Sequence, residues 1–207
     1  MILEKLELGP FMTNCYICGD EKTREAAVID PGFSADEILR TLTRHKLKLL
    51  YIIITHAHID HIGAAKSLKE STDAKILIHK EESKYLITSP AQAVMFGMKP
   101  SLPPSADQYI KEGDEIKIGS IVLKVYLTAG HSPGGISLYA ANEKVIFVGD
   151  SLFSGSIGRT DLIGGDYDQL IRMIREKIFT LPEDTRVCPG HGPDTSVGFE
   201  KKHNPFF

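Results

Sequence analysis

The run Thr55-His56-Ala57-His58-Ile59-Asp60-His61 places four metal-ligand side chains within six positions. Three imidazoles and a carboxylate this close cannot form an ordinary packed core. Buried polar groups need partners, and neighbouring imidazoles repel if they charge together. A divalent cation removes the difficulty, because neutral imidazole and carboxylate both ligate zinc or iron. With 8 His in 207 residues, chance placement of His-x-His-x-Asp-His has a probability of roughly one in a thousand.

Such ligands must be held by elements, and four strand-like runs supply them. Leu49 to Ile54 is an apolar run that leads into Thr55 and His56. Ile121 to Leu127 is followed by His131, Lys144 to Val148 by Gly149 and Asp150, and Arg186 to Cys188 by Pro189-Gly190-His191-Gly192. Each is a buried-strand pattern that ends in a ligand-type residue. In open α/β architectures, sites gather at the carboxyl ends of strands. Glycines beside His131, Asp150 and His191 let the backbone turn sharply there.

The pieces THAHIDH (55–61), AGHSPGG (129–135), FVGDSLF (147–153) and PGHG (189–192) resemble the metallo-β-lactamase superfamily across nearly the whole chain. Within it, MTNCYI (12–17), VIDPG (28–32), GSIGRTDLIGGD (155–166) and HNPFF (203–207) resemble the short single-domain glyoxalase II-like thioesterases. Full-length glyoxalase II enzymes add a C-terminal helical domain that helps grip glutathione, whereas this sequence stops at Phe207. The resemblance implies an α/β fold, the four-layer αββα sandwich, as a single domain over residues 1–207.

Spacing separates the ligands into groups. His56 and His58 are two apart in an extended segment and project in one direction, whereas Asp60 and His61 are adjacent where a helix begins. The resemblance implies the full division. His56, His58 and His131 hold a first metal, Asp60, His61 and His191 a second, and Asp150 bridges them. It implies two divalent ions, zinc foremost, with iron or manganese as alternatives, and Asp60 is the ligand assigned to catalysis. Two cations about 3.5–4 Å apart can share a hydroxide whose pKa falls toward ~7. One also stabilises the oxyanion. A thiol of pKa ~8.5 leaves without a general acid. No further histidine stands beside the motifs to act as one, which favours thioesters over amides.

Arg159 is the one cation in Gly155 to Asp166. It can pair with Asp161 or Asp166, or bind a carboxylate or peptide carbonyl of glutathione through its planar fork. The resemblance favours the second role. Asp30 is expected as a turn residue that supports the site from behind. His45, His79 and His203 fall outside the ligand pattern.

A chain of 207 residues suits one sizeable domain. A net charge of −3 gives no basic footprint for nucleic acid. No apolar run is long enough to span a bilayer, and MILEKLELGP reads as a strand and not a signal peptide. The cytoplasm is therefore the expected location. Three cysteines fit a reducing compartment. Cys15 and Cys18 are three apart in a strand, so they face opposite ways and are expected as small buried residues.

Further strands are expected at 2–8, 14–18, 26–29, 75–79, 115–118 and 136–140, with helices at 34–45, 61–70, 80–87 and 167–179. Ser34 with Glu37 and Asp166 with Gln169 read as capping boxes. Pro90 to Pro104, with Met95, Phe96 and Met98, reads as a loop or a substrate-pocket wall. The expected activity is hydrolysis of hydroxyacyl-glutathione thioesters such as lactoylglutathione. The alternatives are a mononuclear-iron persulfide dioxygenase, using His56, His58 and Asp150 or their neighbours, and a hydrolase of lactones or β-lactams.

Overall fold

The apolar–charged alternation of the first eight residues makes an edge strand, β1 (Ile2–Leu8), in the computed structural model, which describes residues 1–97 and 104–207. The chain then runs through β2 (Thr13–Gly19), β3 (Glu25–Ile29), α1 (Ala35–Arg44), β4 (Lys48–Ile54), α2 (Ile59–Ile62), α3 (Ala65–Thr72), β5 (Lys75–His79), α4 (Lys80–Leu86), α5 (Ser89–Met95) and β6 (Gln108–Ile110). Residue contacts gather into two compact units, Met1–Ile110 with Ile118–Ile121, and Lys111–Lys117 with Val122–Phe207.

In the first unit the strands lie in the order β1-β2-β3-β4-β5-β6. The first three are antiparallel, and β3 through β6 are parallel. Cys15, Ile17, Val28, Ile52, Ile54, Ile76 and Ile78 pack on one face with Ile38 and Leu42 of α1 and Leu68 of α3. The alternate residues Tyr16, Cys18, Ala27, Ile29, Ile53 and Leu77 are buried as well. Burial on both faces explains why β4 reads as an unbroken apolar run. Cys15 and Cys18 are buried, as expected, and form no disulfide. Burial pushes the Cys15 thiol well above its ordinary pKa.

Four local expectations need correction. Ser34 precedes α1 in the left-handed region, φ 54°, and makes no side-chain cap. Its carbonyl instead accepts from Glu37 N–H at 2.9 Å. The helix expected over 61–70 is instead two helices, α2 and α3, interrupted at Gly63 and Ala64. A Cβ on Gly63 would lie 2.2 Å from the carbonyl oxygen of Gly32, so the close approach requires glycine. Ser89–Met95 is a helix, with Pro90 in its first turn where a missing N–H costs nothing. Met98, and with it residues 98–103 of the expected pocket wall, lies outside the described residues. The helix expected over 167–179 becomes π-helical at Ile174–Ile178.

The second unit carries β7 (Glu115–Ile118), β8 (Ile121–Leu127), β9 (Ile136–Ala140), β10 (Val145–Gly149), β11 (Leu152–Phe153), β12 (Ser156–Ile157), α6 (Tyr167–Met173), β13 (Arg186–Pro189), β14 (Thr195–Ser196) and α7 (Val197–His203). Its main sheet has the order β14-β13-β10-β9-β8-β7, with β10 and β13 parallel. Leu170 of α6, with Ile174 and Ile178 of the π-helical turns, packs on Ile146, Val148 and Val187. Asp166 caps α6 by accepting from Gln169 N–H at 2.9 Å. A Cβ on Gly130 would fall 2.4 Å from Leu170 N, so this glycine lets α6 close directly over the turn that carries His131. No described helix is long and apolar enough to cross a membrane.

Candidate metal centre

Parallel strand β4 ends at Ile54, and the next seven residues hold the four candidate ligands His56, His58, Asp60 and His61. Their arrangement is built on Asp30, which leaves β3 at φ 52°. Its buried carboxylate accepts from Thr55 N–H at 2.8 Å, from the Thr55 hydroxyl at 2.6 Å and from His61 Nδ1–H at 3.0 Å. A carboxylate can only accept. The single Thr55 proton therefore goes to Asp30, and Thr55 Oγ1 accepts from His56 Nδ1–H at 3.1 Å. Both rings then present a bare Nε2. One carboxylate sets the tautomer of two imidazoles, directly for His61 and through Thr55 for His56.

The rings lie close together. The His56 and His58 centroids are 4.7 Å apart at 86°, and those of His56 and His61 are 4.1 Å apart at 50°. Asp60, at the start of α2, has Oδ2 within 3.3 Å of Thr13 Oγ1 and 3.5 Å of His61 Nε2. A Cβ on Gly32 would sit 1.8 Å from the Asp60 carbonyl oxygen, so this turn is pressed against the ligand backbone.

The second unit gathers the other three. His131 follows β8 and donates Nδ1–H to the Arg159 carbonyl at 2.8 Å, so its Nε2 is also bare. Asp150 leaves β10 and His191 leaves β13, and Gly190 N–H donates to Gly149 O at 2.7 Å, tying the two exits together. Asp150 Oδ2 stands 3.8 Å from His131 Nε2 and 3.6 Å from His191 Nε2. Two ligands each about 2.1 Å from a tetrahedral ion are about 3.4 Å apart. Separations of 3.5–3.8 Å are too long for hydrogen bonds and near what shared ions require. The donor set thus fits divalent metal in both halves.

Gly158 completes this half, since a Cβ there would meet Asp150 O at 1.8 Å. The Arg159 side chain is exposed and forms a bidentate pair with Asp161, both contacts at 2.7 Å. Hydrogen bonding from Arg159 holds the Asp161 carboxyl down to about 2. The remaining histidines are engaged elsewhere. His45 pairs with Glu4 at 2.6 Å, His79 caps α4 and His203 lies against Phe199.

Sequence reasoning missed two supports in the first unit. Glu82 Oε2 accepts from Ala57 N–H at 2.8 Å, and Gln92 Oε1 accepts from Ile59 N–H at 3.0 Å. No local pattern marks either residue, because both act on backbone some 25 to 33 positions away.

The sequence pattern of the Metallo-beta-lactamase superfamily matches residues 8–191. The probable metallo-hydrolase YqgX of Bacillus subtilis is 37% identical over 98% of this chain and 95% of its own length. The hydroxyacylglutathione hydrolase GloC of Haemophilus influenzae is 37% identical over 100% and 98%. Among solved structures, the BLEG-1 B3 metallo-beta-lactamase superposes with a TM-score of 0.92 at 39% identity, covering 99% of both chains. TTHA1623 in a di-iron-bound form gives 0.90 at 34%, covering 99% of this chain and 100% of its own. With the strand-end ligands, the mixed sheets and these matches together, the chain belongs to the metallo-β-lactamase superfamily of metallo-hydrolases and has its α/β fold.

Proposed function

We propose that this protein is a dinuclear metal hydrolase that cleaves hydroxyacyl-glutathione thioesters of the lactoylglutathione type. His56, His58 and His131 would hold one ion, Asp60, His61 and His191 the other, and Asp150 both. The observation that carries the reading is Asp150 Oδ2, set between His131 Nε2 and His191 Nε2 at 3.8 and 3.6 Å. When bound, zinc or iron ions supply a nucleophile at neutral pH and a Lewis acid for the carbonyl. Support for iron comes from the di-iron form of TTHA1623.

The chain's own residues do the positioning. Asp30, Thr55 and the Arg159 carbonyl keep three imidazoles in the tautomer that ligates through Nε2. All eight histidines have a place, five as ligands and three in contacts elsewhere. None is left to protonate a leaving group, which suits a thiol that departs as thiolate. The GloC relative supports glutathione as that thiol. The Arg159 fork would exchange Asp161 for a glutathione carboxylate. Both side chains of the pair are exposed and screened by water, so the exchange costs little.

The likeness to BLEG-1 favours β-lactams as the competing substrate. The test is metal analysis by mass spectrometry combined with three assays on one preparation. These are lactoylglutathione hydrolysis, β-lactam hydrolysis and oxygen uptake with glutathione persulfide. Two metal equivalents with thioester turnover are expected. A single iron with oxygen uptake, or turnover confined to the β-lactam, would overturn the proposal.

A further inference from the structure

Beyond Ile54 the ligand segment leaves the sheet, bending at Thr55 and His56 and entering α2 at Ile59. Its last ladder partners are Ile29 in β3, opposite Ile53, and Ile78 in β5, opposite Ile54. The amides of Thr55, Ala57 and Ile59 are nevertheless satisfied, each by a side chain from a different element. Asp30 takes the first, Glu82 of α4 the second and Gln92 of α5 the third. Ile59 N–H is an orphan donor at the start of α2, which His58 does not cap, and the Thr55 and Ala57 amides flank His56, so the three acceptors fix the backbone on either side of His56 and His58.

We propose that Glu82 and Gln92 are positioning residues for the metal site, holding the His56-Ala57-His58 backbone at the spacing that two ligands of one ion need. This rests on the metal reading above. Glu82 is 1% exposed and Ala57 0% exposed, so their bond has no water to replace it. Gln92 is oriented by a relay. The Thr88 hydroxyl donates its one proton to Tyr85 O at 2.8 Å and must accept from Gln92 Nε2 at 3.2 Å. That leaves Gln92 Oε1 toward Ile59 N–H. The helix pair α4–α5 thereby acts on the ligands without contributing one.

The experiment measures zinc affinity by chelator competition and melting temperature with and without zinc. Glu82→Leu and Gln92→Leu remove the acceptors, and Glu82→Gln and Gln92→Glu keep an oxygen in place. Removing a group of this kind weakens metal binding by about tenfold or more. Both leucine variants are expected to show that loss and a smaller rise in Tm on adding zinc, with the isosteres close to the unaltered protein. Thr88→Val, which leaves Gln92 in place and only releases its orientation, should give a smaller loss of the same kind. A merely structural bond is lost equally from the metal-free and metal-loaded protein, so it lowers both melting temperatures alike and leaves affinity unchanged. That result, or isosteres as impaired as the leucines, overturns the inference. If Glu82→Leu does not fold, the half-buried Gln92 decides alone. If the unaltered protein takes up no zinc, cobalt or iron, the metal reading itself fails and carries this one with it.

Discussion

Asp30→Asn changes one atom of the carboxylate that sets two imidazole tautomers. Asparagine tolerates the φ of 52° found here. Its remaining oxygen can keep the bond from Thr55 N–H now made at 2.8 Å. The other oxygen becomes an NH2 facing the Thr55 hydroxyl and His61 Nδ1. His61 must then present a lone pair at Nδ1 and carry its proton on Nε2. Thr55, now accepting from the amide, turns its own proton toward His56 Nδ1, with the same consequence for that ring. To ligate metal, each imidazole must give up a buried hydrogen bond and set donor against donor, at about 2 kcal/mol per ring. Two rings give about 4 kcal/mol, or a factor of about 10³ in zinc affinity at ~1.4 kcal/mol per decade. The metal-free protein should lose only about 1 kcal/mol, because the variant stays hydrogen-bonded. Chelator competition and thermal melting of the apo form measure the two quantities. Zinc affinity within threefold of the unaltered protein, or a loss of stability with no loss of affinity, would refute the tautomer argument.

Other consequences can be checked alongside. Asp60→Ala or His191→Ala should lower bound metal from two equivalents to one and cut kcat by orders of magnitude at neutral pH, read by mass spectrometry and a thioester assay; unchanged turnover would remove the two-metal mechanism. Gly158→Ala puts a Cβ 1.8 Å from Asp150 O, so it should cost about 1–3 kcal/mol in stability and reduce metal content, whereas a fully loaded variant would show that the Asp150 turn can relax. Arg159→Ala should raise KM for glutathione thioesters only severalfold, with kcat unchanged, because the fork is exposed, and Asp161→Asn should lower KM by freeing the fork. Asp161 has its folded pKa depressed from 3.8 to about 2. The Arg159 contact therefore contributes fully above 3.8 and is lost as pH falls through 2; NMR titration of the carboxyl should follow this, and Arg159→Ala should raise it toward 3.8, with a backbone hydrogen bond at Asp161 still holding it lower.

The sequence by itself determined the candidate ligand residues and the strands that carry them. His-x-His-x-Asp-His is local, and period-two or unbroken apolar runs report burial of a sheet face directly. So the strands at Lys75–His79, Glu115–Ile118, Ile121–Leu127 and Ile136–Ala140 fall where the pattern puts them. Tertiary structure decided what depends on pairs distant along the chain. Gly63, between α2 and α3, must be glycine because the carbonyl of Gly32, 31 residues earlier, lies against it. Ser34 looks like a cap in sequence but takes a left-handed backbone and makes no side-chain cap. Pro90 reads as a helix breaker, yet it stands in the first turn of a helix whose Gln92 reaches Ile59. The ligand types could be read from composition and spacing. Which nitrogen His56, His61 and His131 offer could not, because that is fixed by Asp30, Thr55 and the Arg159 carbonyl, and a hydrogen bond between residues 25 to 31 positions apart leaves no periodic trace in the chain.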